Sequence, residues 1–228
     1  MKIGVIQASS QVSKNNLLFN AVKKYAADFE VINFGCTADE EESFSYIEIS
    51  LIAGLLLVSG SVDFIVTGCS SGQGMMLAMN NIPGVLCGYA PTPKDAYLFA
   101  QINNGNAISL PLGENYTYSG EKNLEDTIKL LFSEPFGQGW PKADASRKLK
   151  DTELLKSIRY KSQVDIIDFL NMLDKNLVAK ISKKQNVIDY IMKNGKDEHI
   201  ALYVKDLEKA KNFLQNILAE KQTMAMKL

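Results

Sequence analysis

The feature that most constrains this chain is a repeated switch between short β-rich runs and helical stretches over its first 133 residues. Residues 2–7 are a β-rich run. Ser13 can cap a helix with Leu17, Leu18, Ala21, Val22 and Tyr25 on one face. A second strand spans 29–34 and ends at Gly35, and an acidic loop follows at 39–42. Ser43 opens a strongly apolar helix that runs to about Val58. A third strand spans 63–67, and Gly68 to Gly74 is a glycine-serine loop that continues as a helix over 75–80. Strands over 85–89 and 107–110 alternate with helices over 95–102 and 121–132.

This rhythm predicts an α/β fold, a doubly wound Rossmann-like sandwich with a five-stranded parallel sheet and helices on both faces. In such folds ligands sit beyond the carboxyl ends of the strands. Glycines and two prolines in 134–144 (EPFGQGWPKAD) mark a connector. Beyond it the strand-helix alternation stops. Residues 154–158, 164–173, 187–192 and 207–218 carry helical spacing with many lysines. The predicted division is a Rossmann-like core over 1–140 and a helical C-terminal extension over 141–228, packed on the core or on a partner subunit.

Charge and composition narrow the partners. The 228 residues hold 25 basic and 26 acidic side chains, a net charge of -1, so neither nucleic acid nor a membrane surface is an expected partner. The apolar run 47–58 is too short to span a bilayer and is interrupted by Glu48. Cys36, Cys69 and Cys87 are odd in number and widely spaced, which argues against a disulfide framework or a zinc site and for a cytoplasmic setting. No metal is expected. His199 is the single histidine and lies in a polar stretch, so mechanisms built on a histidine pair, triad or metal cage are disfavoured.

The segment that carries chemistry is 66–80, VTGCSSGQGMMLAMN. A cysteine stands where a strand ends, and a loop of small residues leads into a helix. Gly72 and Gly74 let the backbone turn and approach a ligand closely. The loop amides and the helix N-terminus favour negative charge, and Ser70 and Ser71 add hydroxyls. Cys69 stands where that field favours a thiolate, a base suited to removing a proton beside a carbonyl while amides hold the enediolate oxygen. The competing reading is that Cys69, like any buried cysteine, is a small apolar residue. For Cys87, within an apolar strand, and Cys36, at a strand end, packing is the expected role.

At this loop the chain resembles the ribose-5-phosphate isomerase B family, which includes the galactose-6-phosphate isomerase subunits. The family loop Cys-Gly-Thr-Gly-x-Gly-Met stands here as Cys69-Ser70-Ser71-Gly72-Gln73-Gly74-Met75. Asn80, Pro83-Gly84, Asn103-Asn104-Gly105-Asn106, a pocket tyrosine at Tyr46 and Phe136-Gly137-Gln138-Gly139 extend the likeness from Met1 to about Gly139. The resemblance implies an aldose-ketose isomerase without cofactor, a homodimer or higher homo-oligomer with pockets shared between subunits, and Cys69 as the base. It implies substrate contacts at Ser9, Tyr46, Ser70, Ser71, Gly72, Gln73, Gly74, Asn103 and Asn106.

The departures bear on the substrate. The family's Asp-His pair after the first strand is Ala8-Ser9 here, and its ring-opening histidine is replaced near Pro91. The phosphate-binding arginines expected near Gly113 and in 140–144 are missing; Arg147 and Lys142 are the nearest basic residues. A phosphate dianion normally needs such groups. Both losses fit an open-chain keto sugar acid. A family subgroup with a longer C-terminus and a Ser-Gln-x-Ser-Lys-Asn start, here residues 10–15, implies interconversion of 4-deoxy-L-threo-5-hexosulose uronate and 3-deoxy-D-glycero-2,5-hexodiulosonate. Lys14 is a candidate for the carboxylate, against the alternative of a solvated helix face. Two further readings stay open. One is a sugar-phosphate isomerase that recruits Arg159, Lys183 or Lys184 from the extension; the other is a non-catalytic sugar-binding relative. A dinucleotide site is disfavoured, because the glycine loop follows the third strand and lacks the fingerprint spacing.

Overall fold

The computed structural model describes residues 1–209, so the C-terminal part of the helix expected over 207–218 lies outside the described residues. Five parallel strands form one sheet: β1 (Lys2–Ile6), β2 (Glu30–Gly35), β3 (Phe64–Cys69), β4 (Cys87–Tyr89) and β5 (Ala107–Pro111), in the order β2-β1-β3-β5-β4. β3 and β5 are buried along their whole length. That is why they read as unbroken runs of small and apolar residues rather than as an alternation. The chain leaves β1 in one direction to β2 and in the other to β3, so the strand order reverses beside β1. The carboxyl ends of β1 and β3 flank the crevice that this reversal opens.

One face of the sheet is covered by α1 (Asn15–Tyr25), α4 (Pro93–Leu98) and α5 (Glu121–Leu131), whose Leu18, Val22, Ala96, Leu124 and Ile128 meet Val5, Val66 and Ile108. The other face is covered by α2 (Tyr46–Val58) and α3 (Gln73–Asn80). α2 is apolar all round, and every residue from Ile49 to Leu57 is buried. Such a helix cannot sit at a surface. Of the helices that follow the connector, α6 (Ala145–Ser162) packs against residues 99–103, where Thr152 Oγ1 donates to the Ile102 carbonyl, while α7 (Ile166–Met172), α8 (Lys175–Ile181), α9 (Gln185–Asn194) and α10 (198–209) cover the outer side of α2. Ile166, Leu170, Ile181, Val187, Ile191, Ile200 and Val204 of these helices join the same apolar cluster as Ile52 and Leu56. Burying each such side chain contributes roughly 1.5–3 kcal/mol. Among the described residues, no helix is long and apolar enough to cross a membrane.

Several boundaries differ from the sequence reading. Ser13 caps no helix: residues 9–14 form a 3-10 segment and α1 begins at Asn15. α2 begins at Tyr46 rather than near Ser43, because Ser45 and Glu48 form a capping box that satisfies the first amides. α4 starts at Pro93 behind a Thr92 cap and ends in a π-turn over Phe99–Asn103. α8 is an additional short helix, capped by Asp174.

Candidate active site

Cys69 is the last residue of β3 and lies opposite Pro111 of β5. On its other side Ala8, just past β1, donates its amide to the Gly68 carbonyl at 3.1 Å. From Cys69 the chain turns through Ser70, Ser71 and Gly72 into α3. Gly72 holds φ +76°, and a Cβ there would lie 2.8 Å from the backbone of Leu110 and Pro111 and from the Tyr89 ring. Only glycine fits both the dihedral and the space. Its carbonyl accepts from the Ser109 hydroxyl at 2.7 Å. The helix has no side-chain cap. Among the described residues nothing accepts a hydrogen bond from the amides of Ser71, Gly72, Gln73 and Gly74. These unpaired N–H groups open toward the carboxyl ends of the strands, an arrangement suited to an oxyanion. The Tyr46 ring closes one side, within 3.4 Å of the Cβ position of Gly74.

Neighbouring loops fix this turn. Gln11 Nε2 donates to the Ser70 hydroxyl oxygen at 2.9 Å. Gly113 N donates to the Ser70 carbonyl at 2.9 Å, and Leu112 N to the Cys69 carbonyl at 3.0 Å. Next to Gly113, Glu114 forms an ion pair with Lys14, and the Lys14 ammonium lies 4.2 Å from the Tyr118 ring centroid. The hydrogen bond to Glu114 raises the Lys14 pKa further above its ordinary value against a smaller opposing effect of burial. With its side chain 14 % exposed, Lys14 is not on a solvated helix face. The Ser9 hydroxyl accepts from Phe44 N at 2.8 Å, and Ser9 N donates to the Phe44 carbonyl at 2.9 Å. Ser9 is thereby tied to the loop after β2. That loop is anchored in turn by Glu40 to Lys184 and by Glu42 to Lys180 and Lys183.

The cysteines differ in setting. Cys87 is buried in β4, and burial pushes its thiol far above the ordinary range. Burial also raises the Cys36 thiol, partly offset by the Ser9 hydroxyl and the Lys184 charge. Cys69 is 7 % exposed, against 1 % for Cys36 and 5 % for Cys87. It belongs to the same apolar cluster as Ala8 and Met75, and a polar turn follows it.

The structure gathers Cys69, Ser70, Ser71, Gly72, Gln73, Gly74, Tyr46 and Ser9 at one end of the sheet; of these Gln73 and Tyr46, at the starts of α3 and α2, are exposed. It does not bring Asn103 and Asn106 there. Both precede β5, whose first residue Ala107 pairs with Ile65, four positions before Cys69. At about 3.3 Å per strand residue this is ~13 Å along the sheet. The Asn106 amide is engaged in closing the backbone: its Oδ1 accepts from Leu86 N at 2.8 Å and its Nδ2 donates to the Gly84 carbonyl at 2.9 Å. Asn103 lines an edge cleft of ≈ 440 Å³ with Asn80, Tyr89, Asp95 and Phe99. His199 is exposed near the start of α10. The basic groups that a sugar phosphate would require do not converge on Cys69. Lys183 and Lys184 hold carboxylates, and Arg159 donates to the carbonyls of Asn80 and Val85 near the amino ends of the strands. Gln11, Glu114 and Tyr89 are the site neighbours that the sequence reading did not single out. For Gln11 the signal was its place in the Ser-Gln-x-Ser-Lys-Asn run; for the other two the sequence carried none.

Comparisons with known proteins place the fold and the family. Residues 3–148 match the family model described as Ribose/Galactose Isomerase. A crystal structure of a 4-deoxy-L-threo-5-hexosulose-uronate ketol-isomerase complexed with a tartrate is 36% identical, over 92% of this chain and 100% of its own, with a TM-score of 0.86. A ribose-5-phosphate isomerase from Vibrio parahaemolyticus is 33% identical, over 91% of this chain and 99% of its own, with a TM-score of 0.84. A type B ribose 5-phosphate isomerase from Trypanosoma cruzi, 20% identical over 71% of this chain and 99% of its own, shares the fold at a TM-score of 0.58. No curated protein sequence matches the chain.

Proposed function

The chain belongs to the ribose/galactose isomerase family, and on that premise we propose that this sugar isomerase converts a keto sugar acid, 4-deoxy-L-threo-5-hexosulose uronate, into 3-deoxy-D-glycero-2,5-hexodiulosonate. The observation that carries the substrate reading is the charge of the strand ends. The chain has two arginines. Arg147 pairs with Asp144 and Asp151 on α6, and Arg159 is bound to main-chain carbonyls. The loops after β1, β3 and β5 offer a single cation, Lys14. That inventory suits one carboxylate better than a phosphate dianion.

In this reading the Cys69 thiolate takes the C2 proton of the open-chain aldehyde. The electron pair of that C–H bond forms the C1–C2 double bond, and the carbonyl π electrons move to oxygen. The enediolate oxygen is held by the free amides of Ser71 to Gly74. The C2 hydroxyl proton passes to O1, Cys69 returns its proton to C1, and the carbonyl re-forms at C2 without an external oxidant. Ala8 and Ser9, where the family carries an acid and a histidine, fit a substrate that needs no ring opening.

Asn103 enters through a second copy. Its place in the edge cleft before β5 supports this, as do the exposed apolar residues Leu154 and Ile158 on α6 and Leu77 on α3, 61%, 55% and 60% exposed. The decisive assay compares the deoxy-keto uronate, ribose 5-phosphate and galactose 6-phosphate, with Cys69→Ala beside the native protein. Uronate turnover that the alanine variant loses supports the proposal. Faster turnover of either phosphate, or an alanine variant at native speed, removes it.

A further inference from the structure

We propose that Lys14 receives the substrate carboxylate, with Glu114 as its exchangeable counter-ion, so that the site selects a singly charged acidic group over a doubly charged one. The inference deepens the keto-acid reading and rests on it for the place of the substrate.

The loops that follow the three central strands cover residues 7–14, 70–72 and 112–120, and Lys14 and Glu114 are the only charged side chains in them. They pair with each other. The pair adjoins the catalytic turn, because Gly113, next to Glu114, hydrogen-bonds the Ser70 carbonyl, and Ser70 follows Cys69.

The two partners are unequally held. The Lys14 side chain is 14 % exposed and packs against the Tyr118 ring. The Glu114 side chain is 67 % exposed, so it can leave for water at little desolvation cost. Lys14 is the fixed member and Glu114 the one that moves. While the pair is intact, the hydrogen bond to Glu114 holds the Lys14 pKa above its ordinary value, and a lysine ammonium without it is still charged at neutral pH.

Charge arithmetic then sets the selectivity. A carboxylate that displaces Glu114 replaces one negative charge by one, and the local balance stays at zero. A phosphate dianion in the same place leaves one negative charge in excess on Lys14, and the displaced Glu114, which repels any anion bound there, repels the dianion about twice as strongly as a carboxylate, with no second cation in these loops to offset it. Glu114 therefore acts against the wrong substrate class while leaving the right one a free cation.

The test is calorimetric binding of D-galacturonate and galactose 6-phosphate to the native protein, Glu114→Gln, Lys14→Met and Lys14→Arg. Native protein binds galacturonate in preference. Glu114→Gln shifts the affinity ratio toward the phosphate by about tenfold. Lys14→Met weakens galacturonate by about tenfold, and Lys14→Arg restores most of that. A ratio unchanged in Glu114→Gln, galacturonate affinity unchanged in Lys14→Met, or no galacturonate binding by native protein overturns the proposal. Binding is read without turnover. If the uronate is not isomerised but these shifts appear, the catalytic reading fails and the charge selector stands.

Discussion

Gln11 Nε2 donates to the Ser70 hydroxyl oxygen at 2.9 Å across 59 residues of sequence. Gln11 is buried at 9 % exposure, so its amide has no water to fall back on. Replacing it with leucine keeps the volume and frees Ser70. A hydrogen bond of this kind contributes about 1 kcal/mol, so Gln11→Leu is expected to lower kcat/KM by roughly fivefold, with a thermal midpoint near native. Steady-state kinetics beside a melting curve checks this; a native kcat/KM shows that the Ser70 hydroxyl is held without Gln11.

Gly72 is the conformational hinge of the turn. Alanine there adds a left-handed dihedral cost of roughly 1–2 kcal/mol to overpacking against Leu110, Pro111 and Tyr89, roughly 1–3 kcal/mol more. For a chain of this size the expected fall in Tm is about 6–12 °C. Calorimetric melting measures it, and a Tm unchanged by Gly72→Ala contradicts the packing described.

The strands were legible because physics writes them locally. Runs such as FIVTGC and AISLP are buried on both faces and lie next to glycine turns. The all-round apolar α2 announced a buried helix for the same reason. The site was legible where its parts are contiguous, at Cys69 to Gly74. What was missed is long-range: Lys14 meets Glu114 across 100 residues and Lys184 meets Glu40 across 144, and no spacing rule joins them. Asn106 shows the converse. The family resemblance implies a ligand contact at Asn106, and its amide is engaged by the backbone around Gly84 and Leu86. At the start of α2, Ser43 and Ser45 both satisfy the cap preference, and only the reach of Glu48 back to Ser45 decides between them.

Lys184 is buried, at 2 % side-chain exposure, with Glu40 at 22 %. Its ammonium has been taken out of water, and Glu40 is the group that compensates it. Removing one partner leaves the other uncompensated, a loss of about 3–5 kcal/mol. Glu40→Gln is expected to fall in that range, and Glu40→Gln with Lys184→Met to recover more than half of it. Urea unfolding of the native protein, both single variants and the double variant supplies the cycle. Additive losses mean that the pair is not coupled.

Glu42 is held at about 2 by hydrogen bonds to Lys180 and Lys183. Its pKa is lower in the folded chain than the ordinary 4.5, so the unfolded chain binds the proton first. The contribution is therefore complete above pH 4.5 and is lost as pH falls toward 2. Because the side chain is 36% exposed, solvent screens it and the contribution is small. The expected result is a shallower acid-side loss of stability in Lys180→Gln with Lys183→Gln than in native protein. Denaturant midpoints between pH 5 and pH 2 read this directly, and identical slopes remove the assignment.

The last expectation concerns assembly. Leu154 and Ile158 are one turn apart on α6 and more than half exposed, so they form an apolar stripe whose exposure to water costs free energy. In the proposed assembly a second copy covers this stripe and brings its Asn103 toward a foreign Cys69. Leu154→Glu with Ile158→Glu is expected to give a monomer by sedimentation, with native helix content and isomerase activity lower by at least about tenfold. The coupling of the two readouts is what matters. A monomer with full activity shows that each chain completes its own site, and Asn103 then has no part in it. An unchanged oligomer shows that α6 is not the contact.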